Sequence, residues 1–137
     1  MDINVLMDVL VQRQPHYPAS MAAWEAVVNR EVVGWVSANS ITTLYYLLRK
    51  SSGHATAMQS VCLVHQLFSI APIDAALIEK ALNSPVDDLE DAVQYECALH
   101  VKATMIVTRD ERHFRDTAIP VMSPEVFMAN LNPKYNG

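Results

Sequence analysis

The chain has little glycine and no excess of positive charge, and each scarcity closes off a class of protein. Three glycines in 137 residues exclude a collagen-like repeat or a glycine-rich linker. Lysine and arginine number 10 against 15 aspartates and glutamates, a net charge of -5, whereas a protein that only coats nucleic acid is normally basic. The two cysteines, Cys62 and Cys97, lack CxxC or Cys/His zinc spacing. Both fall in apolar helical patterns and read as small buried hydrophobes in a reducing compartment. The five histidines (His16, His54, His65, His100 and His113) show no HExxH or comparable ligand pattern. No apolar run reaches the roughly 18 residues of a membrane span, and no leader pattern opens the sequence. A cytoplasmic protein without membrane contact is the expectation.

What is present is globular: 51% hydrophobic with 18% charged residues, enough for one domain over residues 1–137 with a proper core. Short β-rich runs at Val32–Ser37, Leu67–Ala71, Thr104–Thr108 and Ile119–Met122 predict strands; Pro120 would confine the last to an edge. Helical patterns fill the intervals. Tyr17–Glu31 repeats apolar residues at Met21, Trp24, Val27 and Val28. Ala38–Lys50 turns Leu44, Leu47 and Leu48 inward, and His54–Gln66 groups Met58, Val61 and Cys62. Asp74 predicts the cap of a helix to Leu82, acids open a helix over Asp88–Lys102, and Ser123-Pro124-Glu125 is a further start signal. The tail Asn132–Gly137 is expected to fray. Alternating strands and helices predict an α/β fold, a three-layer α/β/α arrangement around a central, mostly parallel sheet.

Sites in such sheets form beyond the carboxyl ends of the strands. Acids cluster at three candidate positions: Asp2-Ile3-Asn4-Val5-Leu6-Met7-Asp8, Asp87-Asp88-Leu89-Glu90-Asp91-Ala92 and Thr108-Arg109-Asp110. Asp88 and Asp91 share a helix face. Carboxylates gathered from separate elements repel one another, and a hard cation such as Mg2+ or Mn2+ removes that cost. The same cation can activate water against a phosphodiester.

In these three segments the chain resembles the PIN-domain family, which includes VapC-type toxin ribonucleases. Asp2–Asp8 is similar to its D-x-N-x-L-x-D opening, Asp88–Ala92 to its D-x-E-D-A helix, and Ile106–Phe114 to its strand and turn. The motifs stand in the family's order across nearly the whole chain. The resemblance implies a Mg2+- or Mn2+-dependent endoribonuclease, the toxin of a toxin–antitoxin pair. RNA would be its substrate, with an antitoxin protein and a second copy of the chain as partners. It also implies Asp2, Asp91 and Asp110 as catalytic metal-binding acids. Asn4 would orient the first acid, Asp88 would support the helix-borne one, and Thr108 would stand beside the site.

Two departures keep an alternative open, a PIN-like RNA- or protein-binding module with weak or no catalysis. The helix after the second strand has no acid, only Thr42 or Thr43 near the expected place, and Met1 alone stands where the family has an apolar first strand. Blander readings also stand beside each residue. Asp88 and Asp91 form a helix-start cap, Asp110 a turn, Asp2 a solvated terminus and Asp8 a first-turn acid. Arg109, Arg112 and Arg115 touch phosphate or are solvated. His113 donates a proton or is idle, and Trp35, Tyr45 and Tyr46 stack on bases or pack. A receiver-like doubly wound protein is a weaker third reading, against which the motif order argues.

Overall fold

In the computed structural model, which describes residues 1–131, seven α-helices and four short strands alternate. They are α1 (Ile3–Leu10), α2 (Tyr17–Val28), β1 (Trp35–Ser37), α3 (Ala38–Ser52), α4 (His54–Leu67) and β2 (Ser69–Ala71). Then come α5 (Ala75–Leu82), α6 (Leu89–His100), β3 (Ile106–Val107), β4 (Val121–Met122) and α7 (Pro124–Leu131), with a single 3-10 turn at Glu111–His113 before β4. The expected tail at Asn132–Gly137 lies outside the described residues.

Helix starts follow their capping residues. Asp74 accepts from Leu77 N at 2.9 Å, Asp88 accepts from Asp91 N at 3.0 Å, and Ser123 Oγ accepts from Val126 N at 3.2 Å. Each bond satisfies an amide that the helix itself leaves unpaired. Helix α1 was not legible as a helix. Its Val5, Leu6, Met7 and Asp8 are all buried, and eight residues with only Asn4 and Asp8 polar are too few for a helical period to stand out from a strand run.

The strands are shorter than the apolar runs that announce them. β1 pairs in parallel with β2, Val36 opposite Ile70, and β3 pairs in parallel with β4, Ile106 opposite Val121. Pro120 sits just outside β4, where its carbonyl accepts from Ile106 N at 2.9 Å. The two ladders meet through two residues. The Met1 amine donates to Trp35 O at 2.7 Å, and Asp2 N donates to Val107 O at 2.9 Å. Met1 and Asp2 thus lie between two two-stranded parallel sheets, β1-β2 and β3-β4, and make one bond to each. A ladder extends only as far as its neighbour does, which accounts for the shortness of β1 and β3.

Helices cover both faces. Leu6, Trp24, Leu44, Leu48, Val64 and Phe68 form one core between α1, α2, α3 and α4, with the Trp24 and Phe68 rings edge-to-face at 5.2 Å. Leu77, Val86, Ala92, Tyr95, Ile106 and Phe114 form another under α5 and α6, while Ala23, Ala26, Val107 and Phe127 join α2 to α7. Gly34 permits a close approach: a Cβ there would lie 2.6 Å from the Phe68 ring and 2.8 Å from Val27. Not every predicted inward residue is buried. Leu47 is 37% exposed, Val28 45% and Met58 42%, and Cys62 is exposed while Cys97 is buried. In α4 the buried positions are Ala57 and Val64, so the helix turns its Met58 side to solvent.

Candidate active site

Three separate elements deliver acids to one pocket. Asp2 ends the Met1–Asp2 bridge and caps α1, its Oδ1 accepting from Ile3 N at 2.8 Å. Asp88 and Asp91 stand at the start of α6. Asp110 follows β3. All four line a pocket of about 220 Å3, together with Asn4, Ser37, Asn39, Ser40, Glu90 and His113 among others.

Thr108 ties two of the acids together. Fully buried, it donates from Oγ1 to Asp2 Oδ2 at 3.0 Å and accepts from Asp110 N at 3.0 Å. Asn4 Nδ2 reaches Asp110 Oδ2 at 3.4 Å, so the Asn4 amide turns to the third acid rather than the first. His113 Nδ1 lies 3.1 Å from Asp91 Oδ2, a contact that the reading of His113 as an idle loop residue missed. Asp88 does cap α6 through Asp91 N, as the bland reading held, and it lines the pocket as well.

The electrostatics are those of crowded carboxylates. Burial pushes the Asp2 carboxyl above its ordinary value of 3.8, and Asp110 adds to the rise. Thr108, the Met1 amine and the Ile3 N–H oppose it. At 7% exposure Asp2 is no solvated terminus. Asp91 is also raised, first by burial and then by the negative charges of Asp88 and Asp2, with His113 pulling the other way. The Met1 amine, desolvated beside Asp2, falls to about 6.

The place of the fourth family acid is filled differently from the expectation of Thr42 or Thr43. The Thr42 hydroxyl donates to Asn39 O at 3.0 Å on the surface. Ser37, Asn39 and Ser40, at the start of α3, are the residues that reach the pocket from that side. Asn39 Oδ1 is buried without a hydrogen-bond partner among the described residues. A helix beginning at Ala38 brings its first turn to the sheet edge, the signal that could have selected Asn39 over Thr42.

Asp8 is neither exposed nor an ordinary first-turn acid. It has no solvent exposure and accepts from Ser20 Oγ at 2.8 Å and from Arg109 Nη2 at 3.2 Å. Arg109 Nε stands 2.9 Å from Asp8 Oδ2, outside hydrogen-bond alignment, and Arg13 is 3.6 Å away. Arg109 is therefore not a free surface charge. It anchors the backbone next to Asp110 onto α1.

The chemistry of the donors bears on a divalent cation. The donor set is hard oxygen: crowded carboxylates whose proton affinity is raised, plus an orphaned amide oxygen at Asn39. Chemically the residues fit such an ion. Among the described residues, no group of three or more His, Cys, Asp or Glu side chains stands in an arrangement that could hold a metal ion without rearranging.

Among known proteins, the family model described as PIN domain matches residues 1–112. Ribonuclease VapC1 of Aquifex aeolicus (strain VF5) is 28% identical over 136 residues, covering 96% of this chain and 93% of that one. No solved structure matches the chain. No helix among the described residues is long and apolar enough to cross a membrane. With the family match spanning 112 of 137 residues and a parallel α/β fold gathering acids at one sheet edge, the chain belongs to the PIN-domain family.

Proposed function

We propose that the chain is a divalent-metal-dependent endoribonuclease of the VapC toxin type. The observation that carries this reading is the single pocket shared by Asp2, Asp91 and Asp110, whose carboxylates come from three distant parts of the sequence. The relative named a ribonuclease supports RNA as the substrate.

In this reading Asp2, Asp91 and Asp110 hold the ion, with Asn39 Oδ1 as a neutral oxygen donor where the family has an acid. Bound there, Mg2+ or Mn2+ would supply Lewis acidity to a phosphodiester oxygen and to attacking water. Thr108 fixes Asp2 relative to Asp110, and Asn4 turns the Asp110 carboxylate. Asp88 holds the first turn of α6, and His113 orients Asp91. An antitoxin protein is the expected partner. A homodimer would cover apolar side chains left exposed on α3 and α4, among them Tyr46, Leu47, Met58 and Leu63. Unpaired Cys62 and Cys97 suit a reducing cytoplasm.

The test is cleavage of a single-stranded RNA with Mn2+ by the parent and by Asp91→Asn. The variant should lose on the order of 100-fold or more in rate while keeping its circular dichroism spectrum. Cleavage at the parental rate would remove Asp91, and with it this site. The absence of a ready three-acid cage favours a second reading, an RNA- or protein-binding module without turnover. Calorimetric titration with Mn2+ separates the two: saturable binding supports the nuclease, and no binding supports the module.

A further inference from the structure

His113 touches two of the pocket's acids from one short turn. Its Nδ1 lies 3.1 Å from Asp91 Oδ2, and its backbone N donates to Asp110 O at 3.0 Å. The turn that carries it, Glu111–His113, is tied down at both ends. Glu111 Oε1 accepts from Ser123 N at 2.8 Å, and Phe114, directly after His113, is buried in the core under α6. The imidazole is thereby held at the pocket with about half of its surface in solvent.

The contact with Asp91 also sets which ring nitrogen carries the hydrogen. A carboxylate only accepts, so Nδ1 donates to it, and in a neutral imidazole the other nitrogen is then an acceptor. That nitrogen, Nε2, has no hydrogen-bond partner among the described residues. Other neutral groups of the pocket are committed. The Ser37 and Ser40 hydroxyls bond each other at 2.7 Å, and the Asn4 amide donates to Asp110. Gln94, one turn along α6 from Asp91, is the remaining neutral side chain with a free amide. An acceptor without charge suits this place. RNA differs from DNA by a 2′-hydroxyl, a donor one carbon away from the 3′-oxygen of each phosphodiester. A carboxylate can accept from that hydroxyl but repels the phosphate beside it, whereas Nε2 accepts without adding negative charge.

We propose that His113 reads the sugar: its Nε2 accepts from a ribose 2′-hydroxyl of the strand held at the pocket, and so selects RNA over DNA. The inference rests on the proposed nuclease reading in placing a phosphodiester at the acids. It adds the residue that recognises the ribose.

Two substitutions divide the imidazole. His113→Asn keeps an amide N–H near the Nδ1 position and has nothing at Nε2, while His113→Gln keeps an acceptor near Nε2 and loses the donor to Asp91. Fluorescence anisotropy in EDTA, with a single-stranded RNA and the DNA of the same sequence, reads the RNA-to-DNA affinity ratio without turnover. The parent should favour RNA by about three- to tenfold, the worth of one neutral hydrogen bond. His113→Asn should bring the ratio to within about twofold of unity with DNA affinity unchanged. His113→Gln and the control Gln94→Ala should keep it. The same pattern should appear with Mn2+ in the RNA-to-DNA ratio of kcat/KM.

A parental ratio near unity, or one that His113→Asn leaves untouched, would overturn the proposal. So would equal weakening of RNA and DNA, the mark of a phosphate contact. Loss in His113→Gln with retention in His113→Asn would overturn it too, because His113 would then act only through Asp91. RNA preference lost in His113→Asn from a protein that cleaves nothing would uphold the sugar contact and remove the nuclease. Mn2+-dependent RNA cleavage with a ratio indifferent to His113→Asn would do the reverse.

Discussion

At the scale of single residues, the molecule places a charge pair where the sequence offered two unrelated ions. Asp8 and Arg109 lie 101 positions apart, and no spacing rule links residues so distant. Asp8 is wholly out of water, and Arg109 is its principal cationic partner, Arg13 being farther and more exposed. Removing one member of a buried pair leaves the other charge dry and uncompensated. Arg109→Ala should therefore lower unfolding stability by about 3–5 kcal/mol in urea, with an unchanged denaturant slope. Arg112→Ala, on the exposed Glu111–His113 turn, should stay within about 0.5 kcal/mol of the parent. If both variants unfold like the parent, the Asp8–Arg109 pair is not what holds β3 to α1. The same distance problem explains the Asn4 result. Its place in the motif was legible, but that its amide faces Asp110 across 106 residues was not.

At the scale of elements, caps were legible and lengths were not. Asp74, Asp88 and Ser123 announced their helices because capping is a local bargain between a side chain and amides two or three residues on. Strand extents depend on neighbours, so runs such as Thr104–Thr108 overstated a strand that pairs only at Ile106–Val107. Which face of α4 is wet was also misread, because its apolar residues surround much of the helix and only packing against α3 selects Ala57 and Val64. Helix α6 combines a cap and a pocket at one residue, and substitution can separate them. Asp88→Ser keeps an oxygen for Asp91 N but removes the charge, whereas Asp88→Ala removes both. The serine variant should unfold within a few tenths of a kcal/mol of the parent, and the alanine variant about 1 kcal/mol below it. Both should bind Mn2+ several-fold more weakly by calorimetry if the Asp88 charge contributes to the pocket. Parental Mn2+ affinity in both would confine Asp88 to its cap.

At the scale of the whole molecule, the charge balance limits how the chain would hold RNA under the proposed function. The net charge is -5, and acids line the pocket where the scissile phosphate would sit. Arg109 is committed to Asp8, which leaves exposed Arg112 and Arg115 as the cations nearest the site in sequence. Affinity for a single strand weakens with salt by a log–log slope of about -0.7 for each phosphate neutralised. Two arginines then predict a slope near about -1.4 for RNA binding measured in EDTA, where no divalent ion can bridge pocket and phosphate. Mn2+ should tighten binding by adding the missing positive field, and Asp91→Asn should weaken that gain. A slope of about -4 or steeper in EDTA would require RNA to lie on a basic surface elsewhere on the protein. The acidic pocket would then not be where the strand is held, and the affinity would have to be sought on the Arg49–Lys50 end of α3 or around Lys102 instead.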